Sequence, residues 1–98
     1  MPRKIKKEET PRVVRCLIRG RVQGVFYRSN TASEAIRLEI DGWAKNLPDG
    51  QVEVVASGNA ETVTELCGWL WSGSESAQVS AVLVEEWSGR VEPGFLVL

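Results

Sequence analysis

The period of the hydrophobic pattern switches from two to 3.6 residues twice along the chain, and that double switch is what most constrains the fold. Arg12 to Arg19 alternates Val14, Cys16 and Ile18 against Arg15, Leu17 and Arg19, as in a strand with one clearly polar face. From Ser29 to Ile40 the pattern is helical, with Ala32, Ala35, Ile36 and Ile40 on one face and Leu38 at its edge. Gln51 to Ser57 alternates again, setting Val52, Val54 and Ala56 against Gln51, Glu53 and Val55. Past Gly58, with Asn59 as the expected N-cap, Val63, Leu66, Cys67 and Leu70 restore the helical period. Trp43 to Leu47 reads as a short strand, joined to the next by a turn at Pro48-Asp49-Gly50. Val79 to Trp87 and Phe95 to Leu98 read as two more strands. The order β-α-β-β-α-β predicts an α+β, ferredoxin-like (split βαβ) antiparallel sheet with two helices on one face, plus a short C-terminal strand. That fold hosts many functions and settles none of them.

Local signals refine this outline. Thr31 and Glu34 have capping-box spacing, although Arg28 or Ser29 can also start the first helix, and Asp41-Gly42 is expected to end it. Trp69 and Trp71 flank the apolar stripe of the second helix and are expected to close a core edge; Ser72-Gly73-Ser74 stops that helix. Residues 1–11 are charged, with Ile5 as the apolar residue after Met1, and read as a flexible tail ahead of one domain over residues 12–98. There is no long apolar run and no apolar h-region near the N-terminus, so neither a membrane span nor a signal peptide is expected, and the predicted location is cytoplasmic.

Net charge is −1, but Arg12, Arg15, Arg19, Arg21 and Arg28 fall between residues 10 and 33, where there is no Asp or Glu. A local positive patch of this kind suits a small anion better than a long polyanion, and no nucleic-acid partner is expected. The chain contains no His, and Cys16 and Cys67 are far apart without CxxC spacing, so no metal site is expected. The two thiols read as buried small hydrophobes, able to pair only if the fold brings them together. Without His, neither a Ser-His-Asp nor a Cys-His arrangement can be built, and no carboxylate pair is proposed by the spacing. Any reaction must run on positioning and electrostatics.

The run Gly20-Arg21-Val22-Gln23-Gly24-Val25-Phe26-Tyr27-Arg28 offers both. It is a glycine-bracketed loop between a strand and a helix N-terminus, where backbone N–H groups from about Val22 to Tyr27 can converge on one anion. Gly24 lets the backbone approach a ligand, and Arg28 supplies a guanidinium fork that grips two phosphate oxygens. Asn46, in Gly42-Trp43-Ala44-Lys45-Asn46 at a strand end, carries a carboxamide able to hold a water. Each feature alone is also compatible with an ordinary connection or turn.

Together, Gly20-x-Val22-Gln23-Gly24-Val25-x-Tyr27-Arg28, Gly42-Trp43-Ala44-Lys45-Asn46 and Asp49-Gly50-x-Val52-Glu53 closely resemble the acylphosphatase family, over residues 12 to 98. The resemblance implies a small ferredoxin-like enzyme that hydrolyses the carboxyl-phosphate anhydride bond of acyl phosphates, without metal or other cofactor, releasing a carboxylate and inorganic phosphate. It implies that the loop backbone (Val22, Gln23, Gly24, Val25, Phe26, Tyr27) and Arg28 bind the phosphate and that Asn46 positions the attacking water. The expected partners are the acyl phosphate, inorganic phosphate as product and inhibitor, and no second subunit. The chain departs from the family pattern at Phe26 and Glu39, where Gly is frequent, and at Ser74, where Pro is usual. Two alternatives remain. One is an RNA-recognition domain of the same topology, disfavoured because Val13 to Arg19 and Gln51 to Ser57 contain no aromatic residue to stack bases. The other is a non-catalytic phosphate-binding module of the same fold.

Overall fold

The computed structural model describes residues 10–98; the tail expected at the N-terminus lies, through residue 9, outside the described residues. Seven elements follow: β1 (Pro11–Arg21), α1 (Tyr27–Arg37), β2 (Asp41–Asn46), β3 (Val52–Asn59), α2 (Ala60–Trp69), β4 (Gln78–Glu86) and β5 (Phe95–Val97). They form a five-stranded sheet in the order β4-β1-β3-β2-β5. The pairs β1–β3, β1–β4 and β2–β3 are antiparallel, as predicted for the four main strands. The short last strand instead joins β2 in parallel, which makes the whole sheet mixed. Its direction follows from its route: β4 closes one edge, and the chain must cross to the opposite edge before pairing.

Both helices cover one face, α1 over β2 and β5, α2 over β1 and β3. The alternation read from the sequence aims the core residues there. Val14 pairs with Ala56, Cys16 with Val54 and Ile18 with Val52, and all six side chains are buried. Val63, Leu66 and Leu70 from α2, with Ala35 and Tyr27 from α1, complete the layer. Burying one such aliphatic side chain contributes roughly 1.5–3 kcal/mol, so this cluster is the main favourable term. Cys16 and Cys67 do meet, with sulfurs 3.9 Å apart, and both are free thiols. The hydrogen bond with Cys67, together with burial, pushes the Cys16 thiol up from its ordinary pKa.

Several boundaries and faces differ from expectation. The first helix starts at Tyr27 and ends at Arg37, so Ile36, placed on the buried stripe, is exposed, while Leu38 and Ile40 reach the core from beyond the helix. Thr31 does not cap: it is buried inside the helix and its hydroxyl donates to the Tyr27 carbonyl at 2.8 Å. Trp69 closes the core edge, its ring 6.3 Å from that of Tyr27, but Trp71 is exposed. Asn59 caps α2 as expected, accepting from the Glu61 N–H at 2.8 Å.

Two of the five arginines of the expected patch are neutralised across the sheet. Arg12 pairs with Glu86, and Arg15 with Glu53 and Glu85. Those acids come from β3 and β4, which the sheet brings beside β1 although they are distant in sequence. On the face away from the helices, Glu53 accepts from Arg15 Nε at 2.7 Å and from Trp43 Nε1 at 2.9 Å. The Trp43 ring meets Trp87 edge-on at 5.4 Å. Val55, paired with Trp43 on that face, is buried as well.

Burial pushes the Glu53 carboxyl up, but the hydrogen bonds from Trp43 and Arg15 outweigh it and hold its pKa below the ordinary value. A carboxyl whose pKa is lower in the folded chain contributes stability above the unfolded pKa and loses it as pH falls through the folded one. Denaturant midpoints followed downward through the carboxylate range should therefore fall less steeply for Glu53→Gln than for the wild type; equal slopes would show that another carboxyl governs acid sensitivity.

Candidate active site

β1 delivers the chain into the loop, and α1 takes it out again. Two residues turn left-handed within it, Gly24 at φ 74° and Phe26 at φ 61°. Gly24 does so freely, and no atom lies within 4 Å of where a Cβ would stand. Left-handed residues interleaved with others turn successive N–H groups toward one side. Among the described residues, no backbone hydrogen bond outside the helices and strands uses an N–H between Val22 and Phe26. Phe26 is the N-cap of α1 and makes no side-chain cap, and the first turn carries no acid. The unpaired N–H groups of the helix start thus add to those of the loop.

A cavity of about 270 Å³ opens here, lined by Val22, Gly24, Phe26, Tyr27, Arg28, Ser29 and Val97. No lining residue is acidic. Arg28 Nη1 donates to the main-chain oxygen of Leu98, whose N–H donates to Ala44 of β2 at 2.9 Å. The guanidinium is thereby tethered to the strand that carries Asn46. A larger cleft of about 480 Å³ lies by Pro11, Arg12 and Trp87, but Arg12 there is already paired with Glu86.

Asn46 is the last residue of β2. Its Oδ1 is buried and accepts no hydrogen bond from any described group. Leaving such an acceptor unsatisfied costs about 1–3 kcal/mol, so it marks a place where a ligand or water belongs. The next residue is tied to the loop: Gln23 Nε2 donates to both the Leu47 and the Gln51 carbonyls, each at 2.8 Å. Gln23 therefore joins the two sequence blocks, its side chain engaged with the β2–β3 hairpin. Tyr27 likewise faces inward; its hydroxyl donates to the Leu70 carbonyl at 2.6 Å, and burial raises its pKa. Val25 packs against the core, whereas the phenyl ring of Phe26 is 77% exposed at the cavity mouth.

Three contributors were missed by sequence reasoning. Val97 and Leu98 reach Arg28 only because β5 crosses to the far edge. Ser74 Oγ donates to the Val25 carbonyl at 2.6 Å across 49 residues, a contact no local pattern announces.

The fold and this cavity define a class: an α+β, ferredoxin-like domain whose cavity is lined by a glycine loop and one arginine, with an unpartnered carboxamide oxygen at the end of β2 outside that lining. A family model described as Acylphosphatase matches residues 14–97. The acylphosphatase of Nitrosococcus oceani is 53% identical over 72 residues, covering 74% of this chain and 81% of that one. That of Hahella chejuensis is 47% identical over 85 residues, covering 86% and 90%. The solved structure of an acylphosphatase from Coxiella burnetii aligns with a TM-score of 0.87 at 35% identity, covering 95% of this chain and all of that one. The chain belongs to the acylphosphatase family, and its activity is the hydrolysis of acyl phosphates.

Phe26 at φ 61° bears the steric cost of a left-handed side chain while burying little of its ring. Phe26→Gly should raise unfolding free energy by about 1 kcal/mol, whereas Phe26→Ala, which keeps a Cβ, should not. Equilibrium urea denaturation of the three proteins checks this.

Proposed function

We propose that Arg28 and the main chain from Val22 to Tyr27 hold the phosphoryl group and that Asn46 holds the attacking water. The single observation that carries this reading is the buried, unpartnered Oδ1 of Asn46, next in sequence to the Leu47 carbonyl that the loop itself grips through Gln23. In this reading the water donates one hydrogen bond to that Oδ1, which orients its lone pair toward phosphorus. An amide is a poor base, so the water proton passes to a phosphoryl oxygen. The acyl oxygen leaves as a carboxylate, whose conjugate acid has a pKa of about 4, and needs no general acid. Charge spread over the peripheral oxygens of a loose transition state meets preorganised N–H donors and a guanidinium. The chain needs no histidine for any of these steps.

The same reading makes inorganic phosphate, the product, a competitive inhibitor in the cradle. The enzyme is further proposed to act as a cytoplasmic monomer; each active-site element described comes from one chain. Among the described residues no helix is long and apolar enough to cross a membrane.

Steady-state hydrolysis of acetyl or benzoyl phosphate tests the assignment. Asn46→Ala should lower kcat about 100-fold with little change in KM, because it removes orientation of the nucleophile. Arg28→Ala should raise both KM and the phosphate inhibition constant, by roughly tenfold or more for a charge-assisted contact. Variants that keep wild-type kinetics would refute these roles.

A further inference from the structure

Two hollows adjoin the loop, and of their lining residues they share only Phe26. One is the cavity lined by Val22, Gly24, Phe26, Arg28 and Val97. The other, behind the loop, is lined by Val25, Phe26, Asn30 and Ser74. The Val25 carbonyl points to the rear, where Ser74 Oγ donates to it at 2.6 Å. A trans peptide is planar, with its C=O and N–H directed oppositely, and there is no cis peptide among the described residues. Fixing the Val25 carbonyl rearward therefore aims the Phe26 N–H forward, into the phosphate side.

Ser74 is well placed to hold that plane. It is 4% exposed, so its hydroxyl is shielded from competing water. Its own carbonyl accepts from the Ala77 N–H at 3.1 Å. Gly73 has φ 58°, and a Cβ there would stand 2.2 Å from the Tyr27 ring. The close approach of Gly73 to Tyr27 brings Ser74 within reach of Val25. Phe26, meanwhile, sits in a strained conformation that persists only where the surrounding structure restrains it.

Resting on the phosphate-cradle reading above, we propose that Ser74 is a positioning residue for acyl phosphate hydrolysis, locking the Val25–Phe26 peptide so that the Phe26 N–H faces the phosphoryl group. It touches no substrate and acts through the main chain. Since the N–H binds phosphate in ground and transition states alike, its loss acts on binding more than on turnover.

The test compares wild type, Ser74→Ala and Ser74→Thr by amide NMR titration with inorganic phosphate, alongside kcat, KM and Tm. Ser74→Ala should weaken phosphate binding and raise KM about fivefold, the size of one neutral hydrogen bond, while kcat stays within about twofold. The phosphate-induced shift of the Phe26 amide should shrink in Ser74→Ala and return in Ser74→Thr, which restores the hydroxyl. If Ser74→Ala does not fold, Ser74→Cys, with its weak S–H donor, takes its place with the same expectations. Unchanged phosphate affinity and an unchanged Phe26 response, with or without a lower Tm, would overturn the positioning role while leaving the cradle intact. A wild-type protein whose residues 22–28 do not respond to phosphate would overturn the cradle, and this proposal with it.

Discussion

The antiparallel register of β1 against β3 is the constraint from which the site follows. With Val14, Cys16 and Ile18 opposite Ala56, Val54 and Val52, one buried face is shared by both central strands. A slip of one residue would turn the three core residues of the slipped strand away from the helices, so the register is firmly specified. β1 runs on into the cradle loop, and β3 is paired to β2, which ends at Asn46. Fixing the two strands thus sets Gln23 opposite the hairpin carbonyls of Leu47 and Gln51. The carboxamide of Gln23 then converts a sheet register into the relative placement of the loop and the Asn46 carboxamide.

Much of this was legible in the sequence because it is local or periodic. The alternation in β1 and β3, the turn at Pro48-Asp49-Gly50, the Asn59 cap and the loop ahead of α1 each carry their own residue chemistry. What was not legible depended on the third dimension. Arg12 and Arg15 looked like a patch because their acidic partners, Glu86, Glu53 and Glu85, arrive only through strand pairing. The start of α1 was misplaced because its N-cap is Phe26, a residue with no capping side chain, while Thr31 mimicked a cap from inside the helix. A strand as short as β5 has too few residues for a pattern to reveal its direction. Arg28 and Asn46 stood out through their motifs, whereas Ser74 donates to the main-chain oxygen of Val25 and Leu98 offers its own main-chain oxygen to Arg28, both across long stretches of sequence.

The two left-handed non-glycine residues, Phe26 and Glu39, bracket α1. Both adopt a conformation that glycine takes most readily, with φ 61° and φ 58°. Backbone geometry at these points is set by the surrounding structure, which holds φ near 60° against the steric preference of the side chain. The entry to α1 is secured by Tyr27, buried between α2 and the loop, with its hydroxyl on Leu70 and its ring against Gly73 and Trp69. Tyr27 lies between Phe26 and Arg28 in sequence, so its burial fixes the loop's end and the arginine's starting point at once.

The composition of the cavity also bears on which phosphates can react there. Its lining holds a guanidinium, a hydroxyl and apolar groups, but no carboxyl, thiol or imidazole. The one phenol, that of Tyr27, is engaged with a carbonyl and has a raised pKa, so it is a poor proton donor to a leaving oxygen. Departure of an alkoxide from a phosphate monoester calls for such a donor; departure of a carboxylate does not. On the proposed assignment, cradle and carboxamide stabilise the phosphoryl group and orient water equally for both substrate classes. Discrimination then arises at the bond that breaks: the anhydride reacts because its leaving group is already a stable anion, and the ester is spared for want of an acid. Selectivity for acyl phosphates is in this sense a property of the groups the cavity lacks as much as of those it presents.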